Sequence, residues 1–221
     1  MNTSFDATNA ETMRHAMVAS QLRTNAVTDQ RVIAAMMTVP REMFVPAAAR
    51  EIAYRDTAVP VGNGRAVNLP MVTGRLLTEA YLQASDRVLL IGAAGGYAAA
   101  LLAQIVAQVV AVEEDDTLVA MAREALAATP KVEVVEAPLP QGHAAGAPYD
   151  VLIVDGAIED VPDALVNQVK SGGRVVTGLV DGGVVRLASG RKTDGGFGLK
   201  PFMDSDCVVL PGFAKPRGFT F

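Results

Sequence analysis

The chain has 221 residues, half of them apolar, and a net charge of −5. That length sets the expectation of one domain with a large core, and an acidic balance without any Lys/Arg block argues against duplex nucleic acid as a partner. The only cysteine, Cys207, excludes an internal disulfide and a Cys-based metal cluster, and His15 and His143 are too far apart in sequence to suggest a His-rich metal site.

No apolar run reaches the roughly 20 residues of a membrane span, so no membrane partner is expected. The first residues, MNTSFDATNAETMRHA, carry neither a basic n-region nor an apolar h-region, which makes a cytoplasmic location the default expectation. Residues 1–8 are polar and expected to fray. Thr12 to Leu22 reads as a helix with Met13, Ala16, Met17 and Leu22 on one side. Asp29 can cap a second helix, whose stripe of Val32, Ile33, Met36 and Met37 is ended by Pro40. That Met-rich stripe reads as core.

Pro40 to Pro70 is rich in Pro and Gly, with room for one short helix over Ala47–Ala53. Irregular loops this long are commonly functional or disordered, and the aromatic and apolar residues throughout this one favour order. Met71 to Leu82 reads as a helix that buries Leu76, Leu77 and Ala80. Beyond it the pattern alternates. Val88–Ile91 is an apolar run of strand length, Gly92–Gly96 a small-residue turn, and Ala98–Ala103 a helix. Strand, Gly-rich turn and helix together let backbone approach a nucleotide-like ligand, with helix N–H groups facing it; the same turn also serves as plain tight packing. Val109–Val112 is a second strand, ending in Glu113, where α/β folds hold ribose hydroxyls. The bland alternative for Glu113 is an exposed acid at a strand end.

Asp115 and Asp116 can cap a helix with Leu118, Met121, Ala122, Ala125 and Leu126 on one face. Val132–Val135 and Val151–Val154 are further strands, the latter ending in Asp155, which reads as a cap for the next turn. Pro162–Lys170 reads as a helix stopped by Gly172 and Gly173, Val175–Val180 as a fifth strand, and the C-terminal β-like runs, including Cys207–Leu210, as antiparallel edge strands. His143, in a Gly/Ala loop, is expected to face solvent. The whole is an α/β, doubly wound, mostly parallel sheet with N-terminal helices. Residues 1–82 would form a helical segment with a substrate-side loop and residues 83–221 a Rossmann-like core with a C-terminal β extension, packed as one compact unit. The ligand crevice should lie at the C-terminal strand ends, near Gly92–Gly96, Glu113, Glu136–Leu139 and Asp155.

With these pieces in order, the chain resembles the protein-L-isoaspartate O-methyltransferase family. Val39–Pro46 is close to that family's V-P-R-E-x-F-V-P. Ala53–Asp56 and Pro60–Gly64 resemble its A-Y-x-D and P-I-G-x-G. Gly92, Gly96-Tyr97, Glu113, Ala147–Asp150 and Gly172–Arg174 also fit. The resemblance implies a Rossmann-like fold, S-adenosylmethionine as cofactor, and a protein or peptide substrate bearing isoaspartate. It places Gly92, Ala94, Gly96, Glu113 and Leu139 at the cofactor, and Asn68 and Asp56 on the substrate side. The departures fall on the chemistry. The family's G-Q-T-I-S-Q-P reads Gly64-Arg65-Ala66-Val67-Asn68-Leu69-Pro70. Its L-E-I-G-T-G-S-G reads Leu89–Gly96, with Leu90 for the carboxylate and Ala94 for the middle glycine. Its G-D-G reads Ala137-Pro138-Leu139.

An isoaspartyl carboxylate is already ionised at neutral pH, so this methyl transfer needs no general base. What the resemblance implies for the protein is alignment of the reacting atoms and exclusion of water. Two alternatives stand beside the working enzyme: a catalytically silent member serving as a binding or scaffold module, and a methyltransferase with another acceptor. A nicotinamide dehydrogenase is disfavoured, because Gly92, Ala94 and Tyr97 do not make G-x-G-x-x-G.

Overall fold

A computed structural model describes residues 7–215. The expectation of fraying over residues 1–8 lies almost wholly outside them. The chain begins with α1 (Ala7–Met17), a π turn over Val18–Leu22 and a 3-10 turn over Arg23–Asn25. Met17, Val18 and Leu22 are buried, whereas Ala16, expected on the same side, is exposed. Helix α2 (Gln30–Thr38) starts where Asp29 accepts a hydrogen bond from the Arg31 N–H, and it buries Val32, Ile33, Ala35 and Met36.

The Pro40–Pro70 stretch holds 3-10 turns over Arg41–Phe44 and Ala47–Ile52. It also holds an antiparallel hairpin, β1 (Val59–Gly62) and β2 (Arg65–Val67), that the sequence reading missed. Each strand is too short for its alternation to register. The reversal at Gly62-Asn63-Gly64 has positive φ at all three residues, which the two glycines and the asparagine adopt at low cost.

Helix α3 (Pro70–Glu79) leads to β3 (Arg87–Ile91), α4 (Tyr97–Ala103), β4 (Gln108–Glu113), α5 (Asp116–Ala125), β5 (Val132–Glu136), β6 (Tyr149–Ile158), α6 (Asp163–Val166) and β7 (Val169–Asp181). The antiparallel strands β8 (Val184–Arg191) and β9 (Leu199–Asp204) complete a seven-stranded sheet ordered β5-β4-β3-β6-β7-β8-β9. β3 to β7 run parallel, so the doubly wound sheet with antiparallel C-terminal strands is as the sequence indicated, except that Cys207–Leu210 is no antiparallel strand and forms only a parallel bridge, Val209 with Ala157. Side chains of β3 alternate between two cores. Val88 and Leu90 join the N-terminal helices, while Leu89 and Ile91 join Leu139, Tyr149 and Leu165 on the other face.

The expected helix over Pro162–Lys170 is shorter than predicted. α6 ends at Val166, and Val169 already belongs to β7, so Gly172 and Gly173 lie inside a strand instead of stopping a helix. Both periods bury Val169, and the sequence does not separate them. Among the described residues no helix is long and apolar enough to cross a membrane.

The sheet order reverses between β3 and β6. In an open α/β sheet the ligand crevice lies above the C-terminal ends of the strands at such a reversal. Here the β3–β6 pairing ends at Ile91 and Val154, so that point is bordered by Gly92 and the Asp155-Gly156 pair.

Candidate active site

Gly92 to Gly96 form the floor. The Gly92 and Ala93 N–H groups donate to the Val112 carbonyl, tying the turn to the neighbouring strand. Ala94 takes a left-handed conformation, φ 46°, so the strain that its Cβ brings is borne there and not passed to Gly95. Its N–H donates to Glu113 Oε2 at 2.8 Å, which helps to hold that conformation. Gly95 and Gly96 are glycines for packing. A Cβ on Gly95 would stand 2.2 Å from the Phe44 carbonyl oxygen, and one on Gly96 2.8 Å from Leu126 Cδ1. Tight packing thus accounts for Gly95 and Gly96.

Glu113 is fully buried, not an exposed strand end. Its carboxylate meets the Arg65 guanidinium in a bidentate pair, Nη1–Oε1 2.6 Å and Nη2–Oε2 2.9 Å. Oε1 also accepts from the Glu114 and Asp115 N–H groups. Both oxygens of the expected ribose acceptor are therefore committed within the chain. The hairpin that carries Arg65 is anchored again by Asn63 Nδ2, which donates to Asp115 Oδ2 at 2.7 Å. That bond, with the Leu118 N–H, holds the Asp115 carboxyl below the usual range.

Asn68 does not face an open acceptor site. Its Nδ2 donates to the Asp155 carbonyl at 2.8 Å and to Asp155 Oδ1 at 2.9 Å, and its Oδ1 accepts the Val208 N–H at 2.8 Å. Asp155 caps no turn. Its carboxylate is held by Asn68 and Thr73, and burial lifts its pKa against the pull of Asn68, Arg41 and Thr73. Asp56 stands exposed in a bend, and no hydrogen bond or ion pair joins it to Asn68 or Glu113. Leu139 is buried in the core; only its N–H reaches toward the crevice, donating to Glu114 Oε2 at 3.3 Å. His143 is half-buried, not exposed, with its carbonyl accepting the Tyr149 hydroxyl.

Two contributors escaped the sequence reading. After β9 the chain returns to the crevice. The Ala157 N–H donates to the Val208 carbonyl at 2.7 Å, and the Leu210 N–H donates to the Ala157 carbonyl at 2.9 Å. This seats the Leu210 side chain on the reversal point itself. A Cβ on Gly92 would lie 2.8 Å from Leu210 Cδ1, and one on Gly156 2.4 Å from Leu210 Cγ. Both glycines make room for that side chain. The second contributor is Arg65, which the sequence showed only as a change from a family glutamine. Toward β4 and β5 the crevice stays open as a cleft of about 690 Å³, lined by Arg65, Glu114, Asp115, Glu136, Pro138 and Pro211.

Behind the crevice the Pro40–Pro46 segment acts as scaffold. Arg41 is completely buried, donates from Nε to the Ala53 carbonyl at 2.7 Å and from Nη2 to the Asn68 carbonyl, and lies 4.8 Å from the centre of the Tyr97 ring. The Tyr54 hydroxyl donates to Glu42 and also accepts the Arg41 N–H. Burial pushes the Tyr97 hydroxyl up to about 12. One guanidinium thus pins the substrate-side loop to the first turn of α4.

Known proteins share this fold. The family described as Protein-L-isoaspartate(D-aspartate) O-methyltransferase matches residues 12–209. A protein-L-isoaspartate O-methyltransferase of Methanoculleus marisnigri is 39% identical over 165 residues, covering 74% of this chain and 75% of that protein. One of Rhodopseudomonas palustris is 39% identical over 175 residues, covering 78% and 71%. Among solved structures, a protein-L-isoaspartate O-methyltransferase superposes with a TM-score of 0.77 at 21% identity, over 90% of this chain and 66% of that one. A Plasmodium falciparum protein assigned to the same enzymes, solved with S-adenosyl-L-homocysteine, superposes with a TM-score of 0.74 at 17% identity, over 91% and 97%. The structural likenesses establish the fold and the sequence matches the ancestry: the chain belongs to the protein-L-isoaspartate O-methyltransferase family.

Proposed function

We propose that this chain is a methyltransferase of protein carboxylates, with S-adenosylmethionine as donor and L-isoaspartyl side chains of proteins or peptides as acceptors. The observation that carries the reading is the family match over residues 12–209, which includes the Gly92–Gly96 turn, Glu113 and the substrate-side loop in their family order. The acceptor chemistry agrees with the absence of a His/Asp dyad among these residues, since an ionised carboxylate needs no proton removed.

In the described arrangement these residues do not fit the cofactor. Both Glu113 oxygens are saturated by Arg65 and three backbone N–H groups, and Leu210 fills the space over Gly92 and Gly156. The reading requires that the crevice open, and the wild-type chain is therefore expected to be a slow enzyme.

The test is methyl-ester formation on an isoaspartyl peptide with labelled S-adenosylmethionine, with the matching aspartyl peptide as blank. The expected result is slow ester formation on the isoaspartyl peptide alone, rising with donor concentration up to millimolar. A second reading, a silent member that keeps the fold as a binding module, is favoured by the filled crevice. It would prevail if no ester formed even in a folded variant with the crevice cleared.

A further inference from the structure

We propose that this chain carries its own occupants in the cofactor crevice: the Arg65 guanidinium stands on Glu113 in place of a ribose diol, and the Leu210 side chain fills the β3/β6 reversal point. Both must withdraw before any nucleoside-bearing ligand can enter. The inference rests on the methyltransferase reading for the identity of that ligand, but the occlusion itself is drawn from this molecule's contacts.

Three independent features converge on it. The first is position. A sheet reversal flanked by two glycines is where an α/β fold leaves room for a ligand. Here the room vacated by both missing Cβ atoms is taken by one leucine. The second is saturation. Glu113 accepts five hydrogen bonds, two from Arg65 and one each from Ala94, Glu114 and Asp115. A ribose hydroxyl can bind there only by displacing Arg65, because the backbone donors are fixed. The third is attachment. Each occupant sits on a segment held by few bonds. The hairpin is latched by Asn63–Asp115 and Arg65–Glu113. The Cys207–Leu210 segment is held by Asn68 Oδ1, which accepts the Val208 N–H and the Cys207 thiol, and by two backbone bonds to Ala157. It forms a single bridge, Ala157 with Val209, and no continuous strand. Neither segment belongs to the seven-stranded sheet, so each can open without breaking it, at the cost of exposing Val59, Val61 and Val67 on the hairpin or Leu210 on the C-terminal segment.

Asn68 links the two halves of the closure. It follows the hairpin directly, and its amide holds Asp155 on one side and Val208 on the other. Movement of the hairpin therefore removes the anchor of the C-terminal segment, so the two occupants should leave together.

Titration calorimetry with S-adenosyl-L-homocysteine tests this on the full chain. Wild type is expected to bind no tighter than millimolar, and the Arg65→Gln/Leu210→Ala double variant at least about tenfold tighter, a change of about 1.4 kcal/mol. Micromolar binding by wild type would overturn the occlusion while leaving the methyltransferase reading intact. No tightening in a folded double variant would overturn the occlusion. A double variant that binds S-adenosyl-L-homocysteine yet forms no ester on the isoaspartyl peptide would overturn the methyltransferase reading alone. If the double variant does not fold, two measurements take its place. Arg65→Gln alone should still tighten binding. S-adenosyl-L-homocysteine at millimolar concentration should speed hydrogen exchange of the wild-type Leu210 N–H, and unchanged exchange together with unchanged Arg65→Gln affinity would overturn the proposal.

Discussion

The crevice has two halves, and they are finished differently. Above β3 and β6 it is apolar and full, because Leu210 lies against Gly92 and Gly156. Above β4 and β5 it is open and acidic, a cleft of about 690 Å³ bordered by Glu114, Asp115 and Glu136. Arg65 and Glu113 form the wall between them. In this family chain Gly92, Gly156 and Glu113 stand at the positions expected of a ligand crevice, yet each is used by the chain itself. Retained motif residues therefore say where a site is built, not whether it is vacant.

Substitutions at the wall and in the two halves sharpen that contrast. The largest effect is expected from Glu113→Gln. It leaves the buried Arg65 charge without its partner and weakens the acceptor for the Ala94 N–H, which should cost about 3–5 kcal/mol in a urea melt. A loss under about 1 kcal/mol would mean that the pair is not formed in solution. Leu210→Ala empties the full half and should cost about 2 kcal/mol, the low end for a buried leucine because the segment can collapse inward. Its companion signature is faster hydrogen exchange confined to residues 207–213.

Asp155 gives a pH-dependent test of the same half. Burial raises its pKa above the ordinary 3.8. A carboxyl with a raised folded-state pKa contributes stability that is fully present below its unfolded value and is lost as pH rises through its folded value. Asp155→Asn carries no charge at any pH and keeps an oxygen for Asn68 and Thr73. Its melting temperature should gain on wild type as pH rises above the ordinary carboxyl pKa and level off once Asp155 is ionised in the folded state; an offset constant with pH would contradict the shift. The smallest effect is expected from Ala94→Gly. Relief of the left-handed alanine is offset in part by glycine's unfolded-state entropy, leaving a gain of about 0.5 kcal/mol by thermal melt.

The parallel sheet was legible because β3, β4 and the core of β6 are continuous apolar runs at strand length, separated by helices with clear caps at Asp29 and Asp115. The site was legible as a place. Gly92 and Glu113 follow or end parallel strands and Asn68 bonds Asp155 beside them, so all three lie toward one end of the sheet, where the family order of motifs pointed. Their partners were not legible. Arg65 reaches Glu113 across 48 residues, and Val208 reaches Asn68 across 140. Neither separation leaves a local pattern. Glu113 read equally as ribose partner or exposed acid, and a buried ion pair with a hairpin arginine is a third state that only the tertiary fold creates. The hairpin itself was missed because strands of four and three residues carry too little alternation to identify.

The most direct measurement is the steady-state rate of methyl transfer to an isoaspartyl peptide, compared between wild type and the Arg65→Gln/Leu210→Ala variant as S-adenosylmethionine is varied. If the chain occupies its own crevice, the variant's kcat/KM for S-adenosylmethionine should rise at least about tenfold, a gain of about 1.4 kcal/mol in transition-state binding, with the KM for the peptide unchanged. Equal kcat/KM values for the two proteins, both active and folded, would contradict the account, because the crevice would then be as accessible with Arg65 and Leu210 in place as without them.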